Sequence, residues 1–133
     1  MNKILLLETF QSLQMLYVDE LTDSGYEVIT RSNGTGLMEI IEQEKPDLIV
    51  LDITLDKYKG LNVFHSIREV YKNLPVILCT DFPDFKYEQE TIDNDPYVFK
   101  SSDMQELKLK IKMFLEYNNM FKSQQAVQIV NCM

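Results

Sequence analysis

One stretch constrains the fold of this chain more than any other: Pro46 to Gly60, PDLIVLDITLDKYKG. The apolar residues Leu48 to Leu51 and then Ile53 enclose a single acid, Asp52. A continuous apolar run of this length, bounded by Lys45-Pro46 and by a glycine, predicts a strand buried on both faces. Its β-branched residues favour strand over helix. An acid inside such a run is costly if it is buried without a partner. At the carboxyl end of a parallel strand it is tolerable, because the sheet opens there into a crevice. Asp52 is therefore the first candidate for chemistry.

The rest of the chain alternates around that strand. Ile4 to Leu7 predicts a first strand, ending in Glu8. Ser12 is placed to cap a helix from about Leu13 to Ser24, with Leu13, Leu16, Tyr17 and Leu21 on one face and Gly25 as its stop. Glu27 to Arg31 predicts a second strand. After the turn chemistry of Ser32 to Gly36, Leu37 to Glu44 predicts a second helix with Leu37, Ile40 and Ile41 inward. Beyond Gly60 a third helix runs from Leu61 to Tyr71, with Leu61, Phe64, Ile67 and Tyr71 as its apolar stripe. Pro75 to Thr80 is a fourth strand, Asp84 to Ile92 a weaker helix crowded with aromatics, and Tyr97 to Lys100 a fifth strand. Asp103 and Glu106 form a capping box that opens a fifth helix, with Met104, Leu107, Ile111, Phe114 and Leu115 on one face. Strand and helix alternate five times through short turns. Right-handed crossovers make that a doubly wound, five-stranded parallel sheet flanked by helices on both faces.

The chain has 133 residues, enough for one domain with a real core, placed at 1–119, and a tail at 120–133 that extends the last helix or serves as a linker. Eight of that tail's fourteen residues are apolar, which leaves docking or self-association open. A net charge of −8 and no basic stripe argue against direct nucleic-acid binding. No apolar run approaches the length needed to span a membrane, and MNKILLLETF is too short in its apolar part for a signal peptide, so a cytoplasmic location is expected. Cys79 and Cys132 have no metal or redox spacing, and Cys79 reads as a small buried hydrophobe. His65, the only histidine, lies off the apolar stripe of its helix and reads as solvated.

Strands one, three, four and five thus end in Glu8, Asp52, Thr80 and Lys100, and in a doubly wound sheet those ends share one crevice. An acid, a hydroxyl and a lysine meeting there suit phosphoryl chemistry. With these residues, and with the stretches KPDLIVLDITLDKYKGLNVFHSIR, LPVILCT and PYVFKSSDMQEL, the chain resembles the receiver domains of bacterial two-component response regulators from Lys3 to about Tyr117. The resemblance implies the flavodoxin-like (βα)5 receiver fold. It implies that Asp52 is the phosphoacceptor, that Thr80 and Lys100 bind the phosphoryl group, and that Tyr97 is the aromatic of the switch. It implies a weakly held Mg²⁺ on Glu8, Asp52 and the backbone carbonyl of Thr54. The implied partners are a sensor histidine kinase or phosphotransfer protein and a downstream protein, met through the fourth helix, fifth strand and fifth helix. A homodimer stays open.

The chain departs from the family pattern at several modifying positions. Thr9 stands where the second metal-holding acid usually lies, and Glu8 is one methylene longer than the usual Asp. Asp81 follows the sensing Thr80 where a small residue is usual, Ser101 replaces a proline after Lys100, and Asp56 occupies a loop position usually held by proline. The alternative function is accordingly a pseudo-receiver, which shares the fold but acts as a phosphorylation-independent interaction module. On the plainest reading Asp52 is a hydrogen-bonded structural acid and Lys100 simply its ion-pair partner. A flavodoxin-type electron carrier would need a glycine-rich loop after the first strand, and ETFQS has no glycine. No histidine-plus-nucleophile pair supports hydrolase chemistry, and the resemblance implies a phosphoacceptor signalling domain and not an enzyme.

Overall fold

The computed structural model describes residues 1–52, 60–80, 97–99 and 104–117, with the backbone alone for Thr80 and 97–99. Five strands run parallel in one sheet: β1 (Lys3–Leu7), β2 (Glu27–Arg31), β3 (Leu48–Asp52), β4 (Val76–Thr80) and β5 (Tyr97–Phe99). Their spatial order is β2-β1-β3-β4-β5. The order reverses between β1 and β3, so the crevice of this doubly wound sheet opens at the carboxyl ends of those two strands. The helices are α1 (Gln11–Asp23), α2 (Leu37–Glu44), α3 (Gly60–Val70) and a final helix over 105–117.

Alternation along the strands builds two cores. Leu5, Leu7, Ile49, Leu51, Val76 and Leu78 pack with α2 and α3 through Leu37, Ile41, Phe64 and Ile67. Ile4, Leu6, Leu48, Val50, Ile77 and Cys79 pack on the other face with Tyr17 and Leu21 of α1 and with Met104, Leu107, Ile111 and Leu115. All five residues of β3 are buried, as expected for a strand covered on both faces. Cys79 is buried within the second core, and His65 is exposed.

The described elements match the sequence expectations closely, with two corrections in α1. The helix begins at Gln11, and Phe10, not Ser12, stands at its N-cap, where no side chain caps the helix. The cap is formed differently: the Phe10 N–H donates to Glu8 Oε2 at 3.2 Å, and Gln14 N donates to the Phe10 carbonyl at 2.9 Å. The inward stripe is Tyr17 and Leu21 with Val18 beside them, while Leu16 is exposed. Gly25 does end this helix, at φ +97°. Lys45 ends α2 in the left-handed region at φ 47° without being a glycine, and its N–H reaches the Ile41 carbonyl at 2.9 Å. Pro46 follows and prevents continuation. At the end of α3, Arg68 Nη1 donates to the carbonyls of Tyr71, Lys72 and Leu74 at 2.8–3.2 Å, which ties off the turn into β4.

Candidate functional site

The site is built where β1 and β3 end. Leu7 pairs with Leu51 in a parallel register that brings the next residues, Glu8 and Asp52, level on neighbouring strands. The β1–β2 ladder also extends through Glu8, whose N–H donates to the Arg31 carbonyl at 3.1 Å. Ile4 and Leu6, like Leu48 and Val50, face the side of the sheet covered by α1 and the final helix. The period of two continues that face to Glu8 and Asp52. Both carboxylates are 1% exposed, and they are the only buried charged residues among those described.

Such burial is sustained only where the local structure provides partners. Glu8 is held by its own loop. Its Oε2 accepts from the Phe10 N–H, and its carbonyl accepts from Gln14 Nε2 at 3.3 Å. The extra methylene of Glu over Asp gives the carboxylate the reach to fold back on the start of α1 while its stem stays in the strand-end register. Thr9, by contrast, is exposed. The register carries the site across the sheet: Asp52 is level with Cys79, and Thr80 follows as the last residue of β4, level with Phe99. Lys100 is the next residue in the chain after β5. Lys100 itself, the carbonyl of Thr54, Asp56, Asp81, Ser101, the helix expected over Asp84 to Ile92 and the capping Asp103 lie outside the described residues, as do the side chains of Thr80 and Tyr97.

Two level carboxylates suit a small, hard cation. Mg²⁺ takes oxygen ligands, commonly from one or two carboxylates, and keeps several waters. Among the described residues no cluster of three or more His, Cys, Asp or Glu side chains forms that could hold a metal. The two acids fit a hydrated ion that keeps several of its waters. The hydrogen bonds of Phe10 and Gln14 to Glu8 are what sequence reasoning missed. A glutamate three residues before a helix start was their only signal.

Comparison with known proteins gives a consistent picture. The sequence matches the family described as the response regulator receiver domain over residues 4–112. It is 33% identical over 117 residues to the alkaline phosphatase synthesis transcriptional regulatory protein PhoP of Bacillus subtilis, covering 86% of this chain and 48% of that one. It is 33% identical over 116 residues to the probable transcriptional regulator ycf27 of Porphyra purpurea, covering 86% of this chain and 47% of that one. The chain thus spans about half the length of the curated relatives it matches. Among solved structures it resembles the response regulator TrrA of Thermotoga maritima, in complex with Mg²⁺ and BeF, at TM-score 0.79 and 32% identity over 86% of this chain and 99% of that one. It also resembles the BeF3-activated N-terminal receiver domain of Klebsiella pneumoniae RstA, at TM-score 0.75 and 26% identity over 86% and 98% of the two chains.

Proposed function

The chain belongs to the response regulator receiver domain family of two-component signalling, and on that premise we propose that Asp52 accepts a phosphoryl group from a phosphohistidine on a partner protein. The family is one of signalling domains, not metabolic enzymes. The observation that carries the proposal is the burial of Asp52, 1% exposed at the carboxyl end of the central strand, level with a second buried acid. A carboxylate kept there at such cost is better accounted for by reactivity than by solubility or packing.

In the proposed reaction an Asp52 carboxylate oxygen attacks the donor phosphorus. The N–P bond of the phosphohistidine breaks as the O–P bond forms. The electron pair stays with the imidazole nitrogen, which then carries or takes up a proton. Glu8 and Asp52, with the Thr54 carbonyl, are the residues proposed to hold Mg²⁺, which would neutralise charge on the phosphoryl oxygens. The Thr80 hydroxyl and the Lys100 ammonium then hold the transferred group, and Tyr97 reports the change to the surface. Glu8 is kept in place for this by the Phe10 N–H and the Gln14 amide.

The receiver unit is proposed to cover 1–119, with 120–133 as its tail, and to act in the cytoplasm. No helix among the described residues is long and apolar enough to cross a membrane. A sensor histidine kinase or phosphotransfer protein is the proposed donor. The proposed downstream contact is a protein met through the fourth helix, β5 and the final helix. The pseudo-receiver alternative is favoured by Thr9, which is neutral and exposed where a second acid would strengthen the metal corner. The two separate in an NMR titration with beryllofluoride and Mg²⁺. Phosphoryl acceptance predicts shifts at Thr80, Tyr97 and Lys100 that vanish in Asp52→Asn; an unresponsive wild-type spectrum favours the interaction module.

A further inference from the structure

The final helix carries a second apolar stripe that neither core uses. Leu107, Ile111 and Leu115 face the sheet. Two residues further along, about 200° around the helix, lie Leu109, Met113 and Tyr117. Their exposures are 59%, 55% and 67%. They repeat every fourth residue, so they form one line along the outer face of the helix. The flank towards α1 is closed by the ion pair of Lys108 with Glu20 at 2.5 Å, and the other flank carries Lys110 paired with Glu106 at 3.2 Å.

From this line we propose that residues 118–133 of the same chain dock back over Leu109, Met113 and Tyr117. The segment follows Tyr117 directly, at the end of the stripe. Of its sixteen residues eight are apolar and one, Lys122, is charged. That composition suits burial, and the segment is long enough to return along three helical turns. Among the described residues the stripe offers three anchors, whereas specific interfaces between two chains engage about 20–30 residues a side. A tethered segment needs no such area, because its effective concentration on its own helix is about millimolar. Docked there, it covers the outer face of the final helix, part of the surface proposed above for the downstream partner. It therefore competes with that partner. The inference does not depend on phosphorylation of Asp52.

The chain provides its own probe. Cys79 is buried within the core, so a thiol-reactive nitroxide labels Cys132 selectively in the folded protein. Amide NMR of the full chain then reads which residues the label approaches. With the segment docked for more than half the time, as an effective concentration of about millimolar permits, the amides around Leu109, Met113 and Tyr117 lose more than about half of their intensity. Met113→Glu, an exposed change that leaves the core intact, restores that intensity. Mixing isotope-labelled chains without nitroxide and unlabelled chains with it identifies contact between molecules. Unchanged intensities along the stripe, losses that survive Met113→Glu, or losses reproduced in full by the mixed sample each overturn the proposal, the last in favour of a second copy.

Discussion

Replacing Asp52 by Asn should make the protein more stable in the absence of divalent metal. Glu8 and Asp52 are level on neighbouring strands and each 1% exposed. Adjacent strands lie about 4.8 Å apart, and two unit charges at about 5 Å repel by roughly 3 kcal/mol at an effective dielectric of about 20. The Phe10 N–H on Glu8, the interactions of Asp52 itself and any cation drawn to the site offset part of this. The expected gain for Asp52→Asn is thus about 1–3 kcal/mol, with each kcal/mol moving the thermal midpoint of a chain this size by roughly 3–6 °C. Urea unfolding in EDTA, followed by circular dichroism, measures it. Added Mg²⁺ should stabilise wild type more than the variant, by up to about 2.7 kcal/mol at a hundredfold excess over its dissociation constant, and so narrow the gap. An Asn variant that is equally stable or less stable in EDTA would refute the idea that the two acids strain each other.

Three further outcomes are expected. Thr9→Asp should tighten Mg²⁺ binding in a calorimetric titration, since it adds a carboxylate beside Glu8; no change would mean the ion does not use that corner. Asp81→Ala should speed labelling of Asp52 by acetyl phosphate, more at low salt than at high, because it removes a negative charge that would repel an anionic donor; slower labelling with weaker Mg²⁺ binding would make Asp81 a metal ligand instead. Ile111→Ala should destabilise the fold by about 2–5 kcal/mol in urea, because a fully buried side chain between the final helix and the sheet leaves a cavity.

Much of this architecture is legible in the sequence, for identifiable reasons. β3 stands out because burial on both faces requires an unbroken apolar run, and Leu48 to Leu51 supply it. The limits of α2 are visible because Gly36 and Lys45-Pro46 bracket its periodic residues. The start of α1 is not, because Ser12 has the chemistry of a cap while the cap that forms depends on the Glu8 carboxylate reaching back to the Phe10 N–H. The exposure of Leu16 is hidden for a related reason. Which apolar residues of α1 turn inward depends on where the final helix lies against it, and the Lys108–Glu20 ion pair that marks this spans 88 residues of sequence. Nor does any local signal place Lys45 at positive φ, a position that usually selects glycine. At the site, the pairing of Glu8 with Asp52 follows once the strand order is known. The anchoring of Glu8 by Gln14 does not, because it rests on a side-chain geometry that no spacing encodes.

The account rests on Asp52 as phosphoacceptor, and intact mass spectrometry after incubation with acetyl phosphate and Mg²⁺ tests that most directly. The account predicts that wild type gains a single phosphoryl group, that hydroxylamine removes it as it does an acyl phosphate, and that Asp52→Asn gains none. Wild type that stays unmodified, or an Asp52→Asn variant that takes up the same group, would contradict it.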